Sequence, residues 1–496
     1  MESNVLKKIN SMPNEKFLFI TTLFFYIALL ITNPSNYIVV LAFVFLFLLY
    51  FLKVQSFSIS LFFVYISSLV VLTGKTYPIQ LLPRGTFPIE IFPDGNFVNF
   101  IITSSHFIAF IMLIYIARQL IYRQHVFKLN YIDLLLLIFY TLRVISAFLA
   151  SKNPEISVPL EILPLSTLIA YFYARLVLKI DSVLWKNLSY ILCALVVFEG
   201  VLGFTQFALK SPLGKVLELQ INVQYFGNAV DETQFTFRPM GSFNHANTLG
   251  VWLSSVCIFL LGSGLKNRSN IIWLSFFLGL SLMVVTISRS AWLGFTSGSL
   301  FLIMHLARRS KQTLTPLIRL VAKWRHIIGP ILLFLLFFFI FPRIENSLYS
   351  FQTAAGGFFY RKLQTLDAIE TIRLHPILGV GTLMSVYEGI ALNLYTKTAS
   401  IPLAPESWYL SIAVENGLLT FFIFAFFLIT SLRKIFNSNT SSIIYISIAA
   451  SIISAAVAAL LQPSMAFELV LLFLSLTNGD NMLLTNVGKT GKIFKN

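Results

Sequence analysis

Short polar stretches interrupt an otherwise apolar chain, and a few of their side chains suit one kind of chemistry. Arg238 opens R-P-M-G-S-F-N-H-A-N, which contains His245 and ends at Asn247. Arg289 is the centre of S-R-S at 288–290, Arg361 opens R-K-L-Q, and Glu406 lies in P-E-S-W-Y-L at 405–410. H-P-I-L-G-V-G at 375–381 and E-N-G at 415–417 complete the set. Arginine pairs bidentately with phosphate and keeps its charge at any working pH. A carboxylate beside it can take a proton from an attacking hydroxyl. Gly379 and Gly381 permit a tight turn whose amides offer further anion donors. These types together suit the holding of a diphosphate and the activation of a hydroxyl. The same residues also have structural readings. Arg238, Arg289 and Arg361 can anchor to lipid headgroups. His245 and Asn247 can cap a helix start, and His375 before Pro376 can end one.

The elements that must position these groups follow from composition. The 496 residues are 57% hydrophobic and 11% charged, with 50 Phe and a mean hydropathy of +0.81. A soluble fold of this size cannot hide so much apolar surface, and the chain lacks the charge to cover the remainder. The expected fold is all-α, a polytopic membrane bundle of about fourteen spans, each needing roughly 17–25 apolar residues. The spans fall near 17–32, 37–52, 57–73, 97–116, 130–150, 158–178, 188–208, 246–265, 271–287, 291–306, 327–341, 408–430, 442–461 and 464–478. With the N-terminus in the cytoplasm, the alternating cytoplasmic loops collect most of the 36 Lys and Arg, including the cluster from Arg308 to Arg325. That asymmetry puts both termini in the cytoplasm and accounts for the +16 net charge without a nucleic-acid partner. All the polar stretches above then lie outside or just below the outer face.

Three outside loops are long, at 74–96, 209–245 and 342–407. The first carries four Pro between Tyr77 and Pro93 and reads as irregular structure. The third contains an amphipathic stretch, Tyr360–Leu374, spaced for a helix lying on the membrane surface. The chain divides into N-terminal spans at 1–237, a core at 238–432 that includes the loop 342–407, and C-terminal spans with a cytoplasmic tail at 433–496. Residues 17–31 are apolar without a following cleavage site, so no cleavable signal peptide is expected.

Several charged groups fall inside spans: Asp133, Arg143, Glu161, Arg175, Glu199, Glu415 and Glu468. Intramembrane charge is costly and marks function by default. Asp133, Glu161 and Arg175 lie near span ends and are expected at the interface, whereas Arg143 and Glu199 are deeper and are expected to face the interior. Arg143 is a candidate substrate contact. Asp367, Glu370 and Glu388 read as solvated loop surface. Cys193 and Cys257 read as small buried side chains. The acids and the six His show no metal spacing, and no nucleotide-binding glycine loop is present. No metal or cofactor is expected.

From Arg238 to Leu432 the chain resembles the O-antigen ligase and polymerase family of bacterial membrane glycosyltransferases. The resemblance rests on R-P-x-G-S-F-x-x-x-N, on S-R-S-A-W-L at 288–293, on R-x-L-x-x-x-x-A with H-P-I-L-G-V-G at 361–381, and on E-S-W-Y-L with E-N-G at 406–417. It implies a polyprenyl-diphosphate-linked oligosaccharide donor, used at the outer face of the cytoplasmic membrane. A glycan or lipid-glycan acceptor hydroxyl attacks the anomeric carbon with inversion and without a metal. Arg238 and Arg289 correspond to diphosphate binders. From the residues themselves, Glu406 joins them in the catalytic set, and Arg361, His245, Asn247, His375 and Arg143 are candidate substrate contacts. Ligases of the family carry His-Asn where this chain has Glu406-Ser407, a departure that leans towards polymerase.

Two other classes remain open. A transporter of a small anion would fit the span count and the buried Arg143 and Glu199, but no internal repeat or interrupted helix is evident. A non-catalytic binder of lipid-linked glycan would use the same arginines without a base.

Overall fold

The computed structural model describes residues 12–70, 74–80, 97–123, 129–178, 180–215, 225–226, 236–309, 357–382, 384–385, 405–437, 442–462 and 466–478. Fifteen helices occur among them. They are α1 (Asn14–Thr32), α2 (Asn36–Val54), α3 (Phe57–Ser68), α4 (Ser104–Arg123), α5 (Tyr131–Leu149), α6 (Pro154–Ile162), α7 (Leu165–Val177), α8 (Ser182–Leu209), α9 (Ala246–Asn267), α10 (Asn270–Val285), α11 (Arg289–Arg309), α12 (Gly357–Leu374), α13 (Trp408–Asn437), α14 (Ile443–Ala458) and α15 (Phe467–Asn478).

Among the described residues nine spans are long and apolar enough to cross a membrane, with α6 and α7 counted as one. The protein is a helical membrane protein. Thirteen of the expected spans fall on helices, but α3, α10, α14 and α15 are shorter than a full crossing. The expected span at 327–341 lies outside the described residues. The outer helices present Phe24, Leu41, Phe45, Ile121, Phe148, Phe422 and Ile429 on the surface, the inside-out pattern that lipid permits. α9 is almost wholly enclosed, packed by α8, α10, α11 and α14.

Two departures concern strands. Residues 97–103, expected to begin a span, instead pair antiparallel with Gly74–Gln80, from Gly74 opposite Thr103 to Gln80 opposite Phe97. An apolar run rich in β-branched residues suits a strand as well as a helix start, so the span begins only at Ser104 and part of the expected irregular loop is ladder. A second short pair joins Tyr225–Phe226 to Thr236–Phe237. The expected all-α fold therefore carries two small hairpins.

Small residues bring the helices close. Gly294 and Gly298 on α11 face backbone carbonyls of Ser454 and Ala450 on α14, where a Cβ would collide, the close crossing that small residues allow in membranes. Gly250 on α9 likewise admits Thr286, Ser288 and Ala291. Cys193 and Cys257 are buried free thiols.

Four of the charged groups inside spans, Asp133, Arg143, Glu161 and Arg175, are paired across helices. Asp133 caps α5 in a reciprocal box with Asn130, forms an ion pair with Arg175 on α7 and accepts a hydrogen bond from the Tyr171 hydroxyl at 2.9 Å. Glu161 on α6 meets Arg143 on α5 with N–O distances of 2.8 and 3.1 Å. Burial without water forces such pairing.

Candidate functional site

The turn that presents Arg238 is fastened to α8. Gln206 Oε1 accepts the amides of Met240 at 3.1 Å and Gly241 at 2.8 Å, and its Nε2 donates to the Gly241 carbonyl at 2.9 Å. Two turns earlier on α8, the Glu199 carboxylate accepts from the amide of Ser242 at 3.1 Å and from its hydroxyl. Gly241 has φ +60°, and any side chain there would strike Glu199. The buried Glu199 thus serves the loop, as does Gln206, which carries no charge to mark it in the sequence. A Gln seven residues after Glu in an apolar helix lies on the same face and is the signal that could have found it.

Arg238 itself is only 7% exposed. Its Nε donates to the Thr286 carbonyl at 2.8 Å, and Nη2 donates to Asn247 Oδ1. Two of its five donors are therefore fixed to the end of α10 and the first turn of α9. Burial, with the charges of Arg361 and Arg289 nearby, pulls its pKa down to about 10, while Glu406 acts in the opposite direction. Of the two candidate caps, His245 and Asn247, the cap is His245, whose Nδ1 accepts the Asn247 amide at 2.9 Å, and this releases the Asn247 side chain to orient the arginine.

Arg289 is the first residue of α11. It follows Ile287, whose φ of 54° is a strained conformation for a buried β-branched residue. Ser288 and Ser290 are joined at 3.0 Å between their hydroxyls. Strain of this kind costs of order 1–3 kcal/mol and persists where surrounding structure enforces it. Arg289 lies within electrostatic reach of Arg361 and Glu406. Arg361, on α12, forms an ion pair with Glu406, just ahead of α13. Trp408, which starts α13, packs on Phe424 and Phe467 and bonds through its amide to the Gln462 carbonyl at 2.8 Å, so Glu406 has a firm base. Arg238, Arg289, Arg361, Glu406, His245 and Asn247 thus gather from four separate stretches.

The remaining expected contributors do other work. α13 breaks at Gly417, with φ 85° and ψ 164°. Into the break fits the 375–381 turn: Val380 donates to the Val414 carbonyl at 3.0 Å, Gly381 to Glu415 at 2.8 Å, and Leu418 to Pro376 at 2.9 Å. The Gly381 amide is therefore spent on backbone pairing, and that of Gly379 on the His375 carbonyl at 3.2 Å, which removes both as the anion donors expected of them. Gly379, Gly381 and Gly417 all have positive φ and near-touching backbone neighbours. His375 ends α12, its amide bonded to the Thr371 carbonyl at 2.9 Å.

Arg143 does not join the arginine cluster. Its partner Glu161 also accepts from the Thr382 hydroxyl and, at 3.4 Å, from Asn416 Nδ2. Ser146 donates to the Glu415 carbonyl at 2.8 Å, and Ser157 to that of Thr382 at 2.8 Å. This polar knot ties α5 and α6 to the turn after α12 and to the break in α13. Asp367, expected in solvent, is buried on α12, while Glu370 pairs with Arg373 at 3.5 Å. Glu388 lies outside the described residues. Among the described residues no group of three or more His, Cys, Asp or Glu is placed to hold a metal.

Fold and site define a multi-pass membrane protein with a cationic cluster built from loops and helix ends. Residues 274–425 match the family model described as O-antigen ligase. This part of the chain is thus similar to the O-antigen ligase family. Arg289, Arg361, His375 and Glu406 fall within the match; Arg143, Arg238, His245 and Asn247 precede it. No curated protein matches the chain.

Proposed function

We propose that this protein transfers or polymerises a glycan carried on polyprenyl diphosphate, onto an acceptor hydroxyl, at the outer face of the cytoplasmic membrane. The observation that carries the reading is the gathering of Arg238, Arg289 and Arg361 around Glu406. Among the described residues three guanidiniums converge on one carboxylate, an arrangement suited to receiving an anion. A lipid diphosphate is an anion whose charge sits at the depth of helix ends.

The acceptor oxygen attacks the anomeric carbon, its proton passes to Glu406, and the bond from that carbon to the phosphate oxygen breaks. The electron pair leaves with the diphosphate, which Arg238 and Arg289 neutralise, and the configuration inverts. Fixed guanidiniums in a medium of low dielectric stabilise such developing charge without reorganisation. Arg361 holds one oxygen of Glu406, Oε2, leaving Oε1 for the proton. No metal enters the scheme. Glu406-Ser407 stands where ligases of the family carry His-Asn, which favours a polymerase. The charge asymmetry of the loops supports an even number of spans, about fourteen, with both termini cytoplasmic.

The transporter reading gains an interrupted helix at Gly417, but its opened backbone groups bond to the 375–381 turn. The test is reconstitution with a lipid-linked repeat unit, with and without a second glycan acceptor. A ladder from the repeat unit alone establishes a polymerase, transfer only to the second acceptor a ligase, and no product from either refutes the proposal.

A further inference from the structure

His245 is an unusual residue at the start of a helix. Ser, Thr, Asp and Asn are the preferred N-caps, because a short side-chain oxygen is all the cap requires. Here an imidazole performs it, through Nδ1 accepting the Asn247 amide at 2.9 Å. A ring nitrogen that accepts from a backbone N–H carries no proton, so the neutral ring holds its proton on Nε2. The cap thus fixes the tautomer. The ring is half-buried, and Nε2 makes no hydrogen bond to another described residue. It lies within electrostatic reach of Arg238 and Arg361.

We infer that His245 donates its Nε2–H to a phosphate oxygen of the bound lipid diphosphate, as an uncharged contact beside the guanidiniums. The inference rests on the reading of the arginine cluster as a diphosphate site. Burial and the two nearby arginines push the imidazole down to about 4, so the ring is neutral across the physiological range. Protonating Nδ1 would break the cap and set a further cation beside Arg238 and Arg361. The ring is therefore neither general acid nor base. In that positive field an acceptor brought to Nε2 is anionic, and a neutral donor binds it without adding repulsion among the cations. Asn247 and His245 divide the work, one orienting the arginine and the other meeting the ligand.

Asn and Ser both cap helices well but place no N–H at the Nε2 position. The test measures binding of farnesyl diphosphate to purified wild type, His245→Asn, His245→Ser and Arg238→Ala in nanodiscs, with thermal midpoints alongside. Wild type is expected to bind, and the two His245 variants to keep their midpoints while losing roughly 10–100-fold in affinity, the worth of one hydrogen bond to a charged group. A purely capping His245 would leave affinity unchanged, and affinity within twofold of wild type in either folded variant overturns the inference alone. If wild type fails to bind, the diphosphate reading falls and this inference with it. The ring nitrogen resonances of His245 in wild type give a measurement that needs no variant. Addition of farnesyl diphosphate should shift Nε2 and leave Nδ1 unprotonated, and an unmoved Nε2 resonance contradicts the assignment.

Discussion

Arg361 on α12 pairs with Glu406, just ahead of α13, joining two elements that are separated in the chain. The pair fixes one carboxylate oxygen and presents the other. If that oxygen takes the acceptor proton, Glu406→Gln should fold, retain farnesyl diphosphate and lose turnover by roughly 10²–10⁴, the usual share of general-base catalysis. Ladder assays with a lipid-linked repeat unit read this directly. An undiminished ladder would assign the proton elsewhere, and a variant that binds and turns over normally would favour the non-catalytic binder.

The break in α13 should be as sensitive as any catalytic position. Gly417→Ala puts a Cβ against the Ile377 carbonyl at φ 85°, and Gly381→Ala puts one against Ser151 at φ 90°. Left-handed backbone alone costs an L-residue roughly 1–2 kcal/mol, to which the clash adds. Both variants should lower the thermal midpoint in detergent and weaken the ladder, because the turn links Arg361's helix to the one that follows Glu406. A midpoint equal to wild type would mean the turn repacks freely.

Arg143 and Glu161 offer a test of structure against binding. Removing one partner of a buried pair typically costs about 3–5 kcal/mol, whereas replacing both with apolar residues of similar volume is often close to neutral. Arg143→Met is expected to be poorly folded and Arg143→Met with Glu161→Leu largely restored, with farnesyl diphosphate affinity near that of wild type. A folded double variant that no longer binds would make Arg143 a ligand contact instead.

His245 also predicts a pH dependence. Its pKa falls from an unfolded value of about 6.5 to about 4 in the fold. Between those values the unfolded chain binds the additional proton, so stability rises with pH there. The contribution is complete above about 6.5 and is lost as pH falls towards 4. The thermal midpoint of His245→Asn should be flatter than that of wild type across this window, and parallel curves would refute the assigned ionisation.

Much of the site was legible because arginines in polar islands are conspicuous in an apolar chain. Arg238, Arg289, Arg361 and Glu406 were identified by type, and the structure brings them together. Backbone partners were not legible. Gly379 and Gly381 looked like anion donors because nothing local reveals that Val414 and Glu415, on another helix, accept from this turn. The same limit hid Gln206, whose partners lie in a loop that returns across α8. Asn247 and His245 are both possible caps in the sequence because either side chain can reach a first-turn amide, and only the fold gives the cap to His245. Residues 97–103 were read as helix because apolarity without a clear period does not separate a strand from a span.

In the proposed reaction, guanidiniums from separate stretches hold the departing diphosphate. The most direct measurement is single-turnover transfer from a saturating lipid-linked repeat unit by Arg238→Ala and Arg289→Ala, reconstituted at equal folded amounts. Each should be slower than wild type by roughly 10²–10³, the loss that accompanies removal of one donor of transition-state charge. Wild-type rates in both folded variants would contradict the account.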